Sequence, residues 1–291
     1  MNGSVLVAGV DGSAGSLMAV RWAARAARER GHGLRLVHAL PTLPAPYPRG
    51  DPTYDQLLEV AAEQGSAMLA EAREAAAEVA PGLTVETALR PERPAEALVD
   101  ESGGAVLLVL GTPGLRPFGR ILFGSVTVAL AAHAKCPVAL IRPHVGENRP
   151  PAEGPVVVGV DGGPASEEAI AAAFEEASWR ATRLVAVHCR PDNHWTSDSA
   201  AVAEHEHELL AQRLAGWQEK YPDVTVDRVV PVGRPAEQLL DFADRAQLLV
   251  VGSRGRGGVC GLALGSTSQA LMSYALCPVL VARGGMRPQE K

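Results

Sequence analysis

The chain has 291 residues, 47% of them hydrophobic and 21% charged, with a formal net charge of −6. That composition belongs to a globular protein with room for two ordinary domains, and an acidic balance with only three lysines offers no basic footprint for nucleic acid. No apolar run is long enough to span a membrane and the N-terminus lacks signal-peptide organisation, so the expectation is a cytoplasmic protein without membrane insertion.

Taken in chain order, the first half alternates short β-branched runs with longer amphipathic ones. Strands are predicted near 4–10, 34–39, 83–88, 105–110 and 137–142, and helices near 14–30, 55–79, 93–102 and 124–134. In the first helix Leu17, Val20, Ala24 and Ala27 keep a helical spacing with arginines between them, as a helix covering one face of a sheet should. "VLLVL" at 106–110 is the near-continuous apolar strand that a parallel sheet buried on both faces requires. Between the second strand and the second helix, "PTLPAPYPRGDPTYD" at 41–55 reads as a long surface loop or lid.

After residue 143, "PHVGENRPPAEGP" has the composition of a semi-rigid linker. The chain then repeats itself. "VLVAGVDGSAGS" at 5–16 returns as "VVVGVDGGPAS" at 156–166, which pairs Asp11 with Asp161 and His38 with His188 at an offset of 150. Further on, Pro94 matches Pro235, Gly111 matches Gly252 and Cys136 matches Cys277 at an offset of 141. Nine extra residues therefore lie in the first copy between its second and third strands, and the proline-rich 41–55 segment is the expected place for them. The partition is two domains, 1–145 and 153–291, each an α/β, doubly wound domain with a five-stranded parallel sheet and helices on both faces.

In such a sheet, ligands bind beyond the carboxyl ends of the strands where the winding reverses. Two features fall there in each copy. One is the aspartate after the first strand, Asp11 or Asp161; the other is a glycine-rich segment after the fourth. That segment runs Gly111, Gly114, Gly124, Ser125 in the first copy and Gly252, Gly255, Gly265, Ser266 in the second, with identical spacing while most intervening residues differ. Gly124 with Ser125, and Gly265 with Ser266 and Thr267, would open helices whose unpaired amides and positive dipole ends favour phosphate. Charge for a polyphosphate would come from a metal ion or from Arg116, Arg120, Arg254 and Arg256. Neither G-x-x-x-x-G-K-[ST] nor a G-x-G-x-x-G after a first strand is present.

The order V-D-G-S, L-V-H, then G-x-x-G-x₉-G-[ST] ahead of C-P-V resembles the universal stress protein family, in its tandem ATP-binding form. The resemblance covers nearly the whole chain apart from the linker and the C-terminal tail. It implies a strand order of 3-2-1-4-5 in each sheet, and ATP in each domain with Mg2+ or Mn2+ bridging the phosphates. Asp11 and Asp161 would contact the adenosine end, and the backbone of Ala39 and Cys189 the adenine. Gly111 and Gly252 would lie by the ribose. Gly114, Gly124, Ser125 and Val126, with Gly255, Gly265, Ser266 and Thr267, would hold the phosphates. Pro117 departs from this pattern by removing an amide from the first loop. The resemblance also implies a nucleotide-responsive regulator in the stress response with a regulatory protein partner, domains paired back to back through residues 138–142 and 279–283, and a homodimer.

Other residues read more plainly. The four cysteines, Cys136, Cys189, Cys260 and Cys277, have neither metal nor dithiol spacing. His205 and His207 in "AEHEHELL" fall on different faces of a helix and read as a solvated polar face. His38 and His188 read as satisfied core histidines. No general base, carboxylate pair or activated nucleophile is positioned by the sequence, which leaves slow ATP hydrolysis or phosphotransfer, and a nucleotide-free scaffold, as the competing readings.

Overall fold

A computed structural model describes residues 4–41, 52–112, 124–142, 153–190, 199–254 and 264–283. The chain divides into two compact units, the first ending at Pro143.

The first unit contains β1 (Val5–Gly9), α1 (Ala14–Glu29), β2 (Gly33–Ala39), α2 (Pro52–Val79), β3 (Val85–Arg90), α3 (Pro94–Glu101), β4 (Ala105–Gly111), α4 (Ser125–His133) and β5 (Val138–Ile141). Its strands pair in parallel in the order β3-β2-β1-β4-β5. The chain winds outward from β1 to β3 and then returns to β4 on the other side of β1, so right-handed crossovers place α1 and α2 on one face and α3 and α4 on the other. The observed pairs, α1 with α2 and α3 with α4, agree. Leu6, Ala8, Leu108 and Val109 are wholly buried, as central strands covered on both faces must be.

The second unit repeats the plan with β6 (Val156–Gly159), α5 (Pro164–Trp179), β7 (Leu184–Val187), α6 (Ser199–Lys220), β8 (Val226–Val229), α7 (Pro235–Ala243), β9 (Leu248–Gly252), α8 (Ser266–Tyr274) and β10 (Val279–Ala282). Its parallel order is β8-β7-β6-β9-β10. Phe174 on α5 stacks with Trp217 and Tyr221, anchoring the C-terminal half of α6.

Helix ends follow local chemistry. Ser13 caps α1 by accepting the Ser16 amide at 3.1 Å, and α1 closes with Gly31 at φ +66° and a bond from His32 N to Ala27 O. The same closure ends α5, but there Ala181 occupies the left-handed position at φ +47°.

One expectation is corrected. The nine extra residues of the first copy do not all sit in a loop. α2 begins at Pro52, is 28 residues long against 22 for α6, and so absorbs six of them; Pro52 to Asp55 are helix. Proline suits the first helical position because the amide it lacks would be unpaired there anyway. The remainder of the proline-rich segment, residues 42–51, lies outside the described residues. Among the described residues no helix is long and apolar enough to cross a membrane.

Candidate functional site

In each unit the winding reverses between the first and fourth strands, and the elements converging there are built by short-range chemistry. Val10 stays beside β2 through its amide to Val37 O at 2.9 Å. Asp11 follows, and Gly12 turns the chain at φ +76°. Asp11 Oδ1 accepts from the Ser13 amide at 3.0 Å and the Ser13 hydroxyl at 2.6 Å, an Asx turn that leads directly into the α1 cap. Partial withdrawal from water opposes ionisation of Asp11, but the bonds from Ser13, with help from Ser16, outweigh it and hold the carboxyl below its ordinary value.

The second unit makes the same turn with different donors. Gly162 sits at φ +78° and the Gly163 amide donates to Asp161 Oδ1 at 2.8 Å. Gly163 has no hydroxyl to offer, and Ser166, one turn into the helix, donates to Asp161 Oδ1 instead while accepting the Asp161 amide at 2.9 Å. A carboxylate at the end of the first strand is thus fixed in both units.

Each histidine at the end of the second strand reaches back to this turn. His38 Nδ1 lies 2.8 Å from Val10 O, and His188 Nδ1 lies 2.7 Å from Val160 O. A carbonyl can only accept, so Nδ1 carries the hydrogen in both. The ring thereby holds the residue immediately before the aspartate. Ala39 and Cys189 come next in the chain, both half-buried. Burial pushes the Cys189 thiol up to about 11, so this sulfur is not a nucleophile at neutral pH.

The end of β4 meets the start of α1 at backbone distance. A Cβ on Gly111 would lie 2.3 Å from both C and O of Gly15 and 2.5 Å from Ser16 N. Gly111 is therefore glycine because strand and helix touch there, a reason the sequence reading missed. Its carbonyl-side neighbour Thr112 is buried and donates its amide to Ile141 O at 2.8 Å. In the second unit Ser268 Oγ donates to Gly252 O at 2.7 Å and Gly265 N to Ser253 O at 3.0 Å, tying the start of α8 to the end of β9.

Gly124 differs from Gly111 in kind. Its φ is −61°, which any residue adopts, and a Cβ there would meet nothing within 4 Å. It caps α4 without a side-chain bond, as Gly265 caps α8 at φ −70°. Both helix starts therefore lack a side chain of their own N-cap residue on the first-turn amides. Ser125 and Ser266 are exposed there, and Val126 and Thr267 half-buried. Gly114 and Gly255, with Arg116, Pro117, Arg120, Arg256 and Cys260, lie outside the described residues; Arg254 is exposed just past β9. Among the described residues no three His, Cys, Asp or Glu side chains converge as a metal cage.

His205 and His207 are exposed on α6, as their spacing implied. The residue between them was overlooked. Glu206 turns inward, with Oε2 3.1 Å from His188 Nε2. Aligning the copies at the 141 offset, which sets Glu206 against Gly65, would have marked it.

Comparison with known proteins places this architecture. A universal stress protein of Mycolicibacterium smegmatis is 40% identical over 287 residues, covering 96% of each chain. One from Mycobacterium tuberculosis is 40% identical over 291 residues with the same coverage. The crystal structure of a universal stress protein from Archaeoglobus fulgidus shares the fold at a TM-score of 0.74 and 20% identity, covering 97% of this chain and 98% of that one. The profile of the universal stress protein family matches twice, over residues 1–142 and 154–283. With both halves matched and relatives aligned along nearly its whole length, this chain belongs to the universal stress protein family.

Proposed function

We propose that each unit binds one ATP, accompanied by Mg2+ or Mn2+, at the carboxyl ends of its first and fourth strands, and that the chain acts as a nucleotide-responsive regulator of stress survival or growth. The observation that carries this reading is the pair of glycine-capped helix starts. Their amides lack an N-cap side chain, and at Gly124 the space in front is open. A helix N-terminus of this kind favours phosphate through its amides and its dipole. The residues present fit the ligand: exposed serine hydroxyls at Ser125 and Ser266 supply further donors, and the fixed carboxylates of Asp11 and Asp161 offer acceptors for ribose or base hydroxyl and amino groups.

A divalent ion bound there would neutralise phosphate charge and take phosphate oxygens among its ligands. Gly114 and Gly255 complete the proposed phosphate loops, Val126 and Thr267 contribute amides, Ala39 and Cys189 offer backbone to the base, and Gly111 and Gly252 border the ribose. Occupancy would then report nucleotide level to a protein partner in the cytoplasm, with self-association as a homodimer. The test is thermal unfolding of protein stripped of bound nucleotide, with and without ATP and Mg2+. A ligand at a hundred times its Kd stabilises by about 2.7 kcal/mol, so saturating ATP raises the melting temperature of the parent chain. Gly265→Val, which fills the start of α8, loses the part owed to the second unit. An unchanged melting temperature in the parent would overturn the reading.

A further inference from the structure

The two units differ at one buried polar contact. The ends of α2 and α6, Val79 and Lys220, and the strands that follow, Val85 and Val226, all keep the 141 offset. Gly65 of α2 therefore corresponds to Glu206 of α6. In the first unit a Cβ at Gly65 would lie 2.7 Å from His38 Cδ2, 3.2 Å from Nε2 and 2.8 Å from Leu89 Cδ1, so the helix backbone rests on the ring and no side chain fits between them. In the second unit a carboxylate stands there instead. His188 is 7% exposed, and its ring lies between Val160 O at 2.7 Å and Glu206 Oε2 at 3.1 Å.

The hydrogen count follows from the partners. A backbone carbonyl accepts only, and an ionised carboxylate accepts only. A neutral ring has one hydrogen and satisfies one of them. Both contacts are hydrogen bonds only if the pair holds a second proton, whether on Nε2 with Glu206 ionised or on Glu206 with Nε2 accepting. In the first unit the corresponding position is Gly65, which has no carboxylate to offer His38. Once the proton leaves, the Nε2 lone pair of His188 faces a carboxylate, and the link from α6 through the ring to Val160, next to Asp161, becomes repulsive.

We propose that Glu206 is a positioning residue of the second unit's strand-end site, acting through His188 on the Asp161 turn, and that the proton in this pair makes the second site sensitive to pH. The proposal that ATP is the ligand of that site rests on the reading above; the proton count does not. Among the described residues, the neighbouring charges are engaged or exposed as follows. Asp161 is engaged by Gly163 N and Ser166 Oγ. On β8, Asp227 pairs with Arg183 and Arg228 is exposed. On α5, Glu167 pairs with Arg213 of α6. His205 and His207 point to solvent, Cys189 is a neutral thiol, and Arg190 is half-buried after β7.

The experiment uses the full chain with 15N-labelled histidine. The parent is expected to show two hydrogens in the His188–Glu206 contact, and Glu206→Gln to show one on His188. Glutamine keeps the size and a hydrogen bond, so a purely structural role would survive it. In parallel, ATP with Mg2+ is titrated against the Asp11→Ala chain, which isolates the second site, between about pH 5 and 8. Affinity should fall about fivefold across that range relative to Glu206→Gln. A single His188 hydrogen without a proton on Glu206, or identical pH profiles for parent and Glu206→Gln, would overturn the proposal. Absence of ATP binding in every variant, with the two-hydrogen pattern intact, would refute the ATP reading and the link to it while leaving the proton in place.

Discussion

Gly111 and Gly124 belong to one spaced glycine pattern, yet the structure assigns them opposite consequences on substitution. In Gly111→Ala the new methyl would lie 2.3 Å from C and O of Gly15, whereas carbon contacts are comfortable at about 3.5–4.0 Å. The obstacle is backbone of the first turn of α1, and it cannot rotate away as a side chain would. Strand and helix must separate by more than about 1 Å, an overpacking cost near the upper end of the usual range, about 3 kcal/mol. For a unit of this size that is a loss of about 10 °C in melting temperature. Gly124→Ser meets open space at an ordinary φ, and serine is the better N-cap, so stability should rise by a few tenths of a kcal/mol, roughly. Its hydroxyl then occupies the amides proposed for phosphate, and stabilisation of the first unit by ATP should vanish. Thermal and urea unfolding of both variants, without and with ATP and Mg2+, separates the effects. A Gly111→Ala chain as stable as the parent without nucleotide would refute the packing argument. Full ATP stabilisation of Gly124→Ser would refute the role given to α4.

Three further outcomes follow from the same structure. Ala181→Gly relieves a left-handed alanine at φ +47°, where the first unit has Gly31; after allowing for glycine's larger unfolded-state entropy it should gain about 0.5–1 kcal/mol, read from the urea midpoint. Cys189, with its thiol raised from 9.0 to about 11, should alkylate about a hundredfold more slowly near neutral pH than an ordinary thiol, measured by mass spectrometry of iodoacetamide adducts. Because the Asp11 carboxyl is depressed in the folded chain, its contribution is present above the ordinary value of 3.8 and is lost as pH falls through the lower folded value. Asp11→Asn keeps the turn's acceptor, so the parent's advantage over it should disappear in acid and nowhere else.

The strands were legible because each is a short, dense run of Val, Leu and Ala bounded by glycine or a polar turn, and burial on both faces leaves no other composition possible. Repetition supplied the division into two domains, since one alternating pattern occurs twice, while the order of strands within each sheet rested on the family resemblance. The aspartates were legible as strand-end residues, but not the way each turn is held, which shifts from Ser13 in one copy to Ser166 in the other. What escaped depended on contacts between distant segments. Gly111 was legible only as part of a ligand loop, because the chain gives no hint that Gly15 approaches it. Glu206 looked like one more charge on a solvated helix until its counterpart, Gly65, was seen against the other histidine. The first three residues of α2, 52–54, were hidden by the prolines ahead of them, because Pro52 starts the helix instead of breaking it.

The central claim, one ATP in each unit, is tested most directly by denaturing freshly purified protein and counting the nucleotide released per chain, for the parent and for Asp11→Ala and Asp161→Ala separately. The account predicts about two ATP per parent chain, with each variant losing one. No nucleotide in the parent, together with no stabilisation by added ATP and Mg2+, would contradict it and leave the glycine-capped helices as geometry without a ligand.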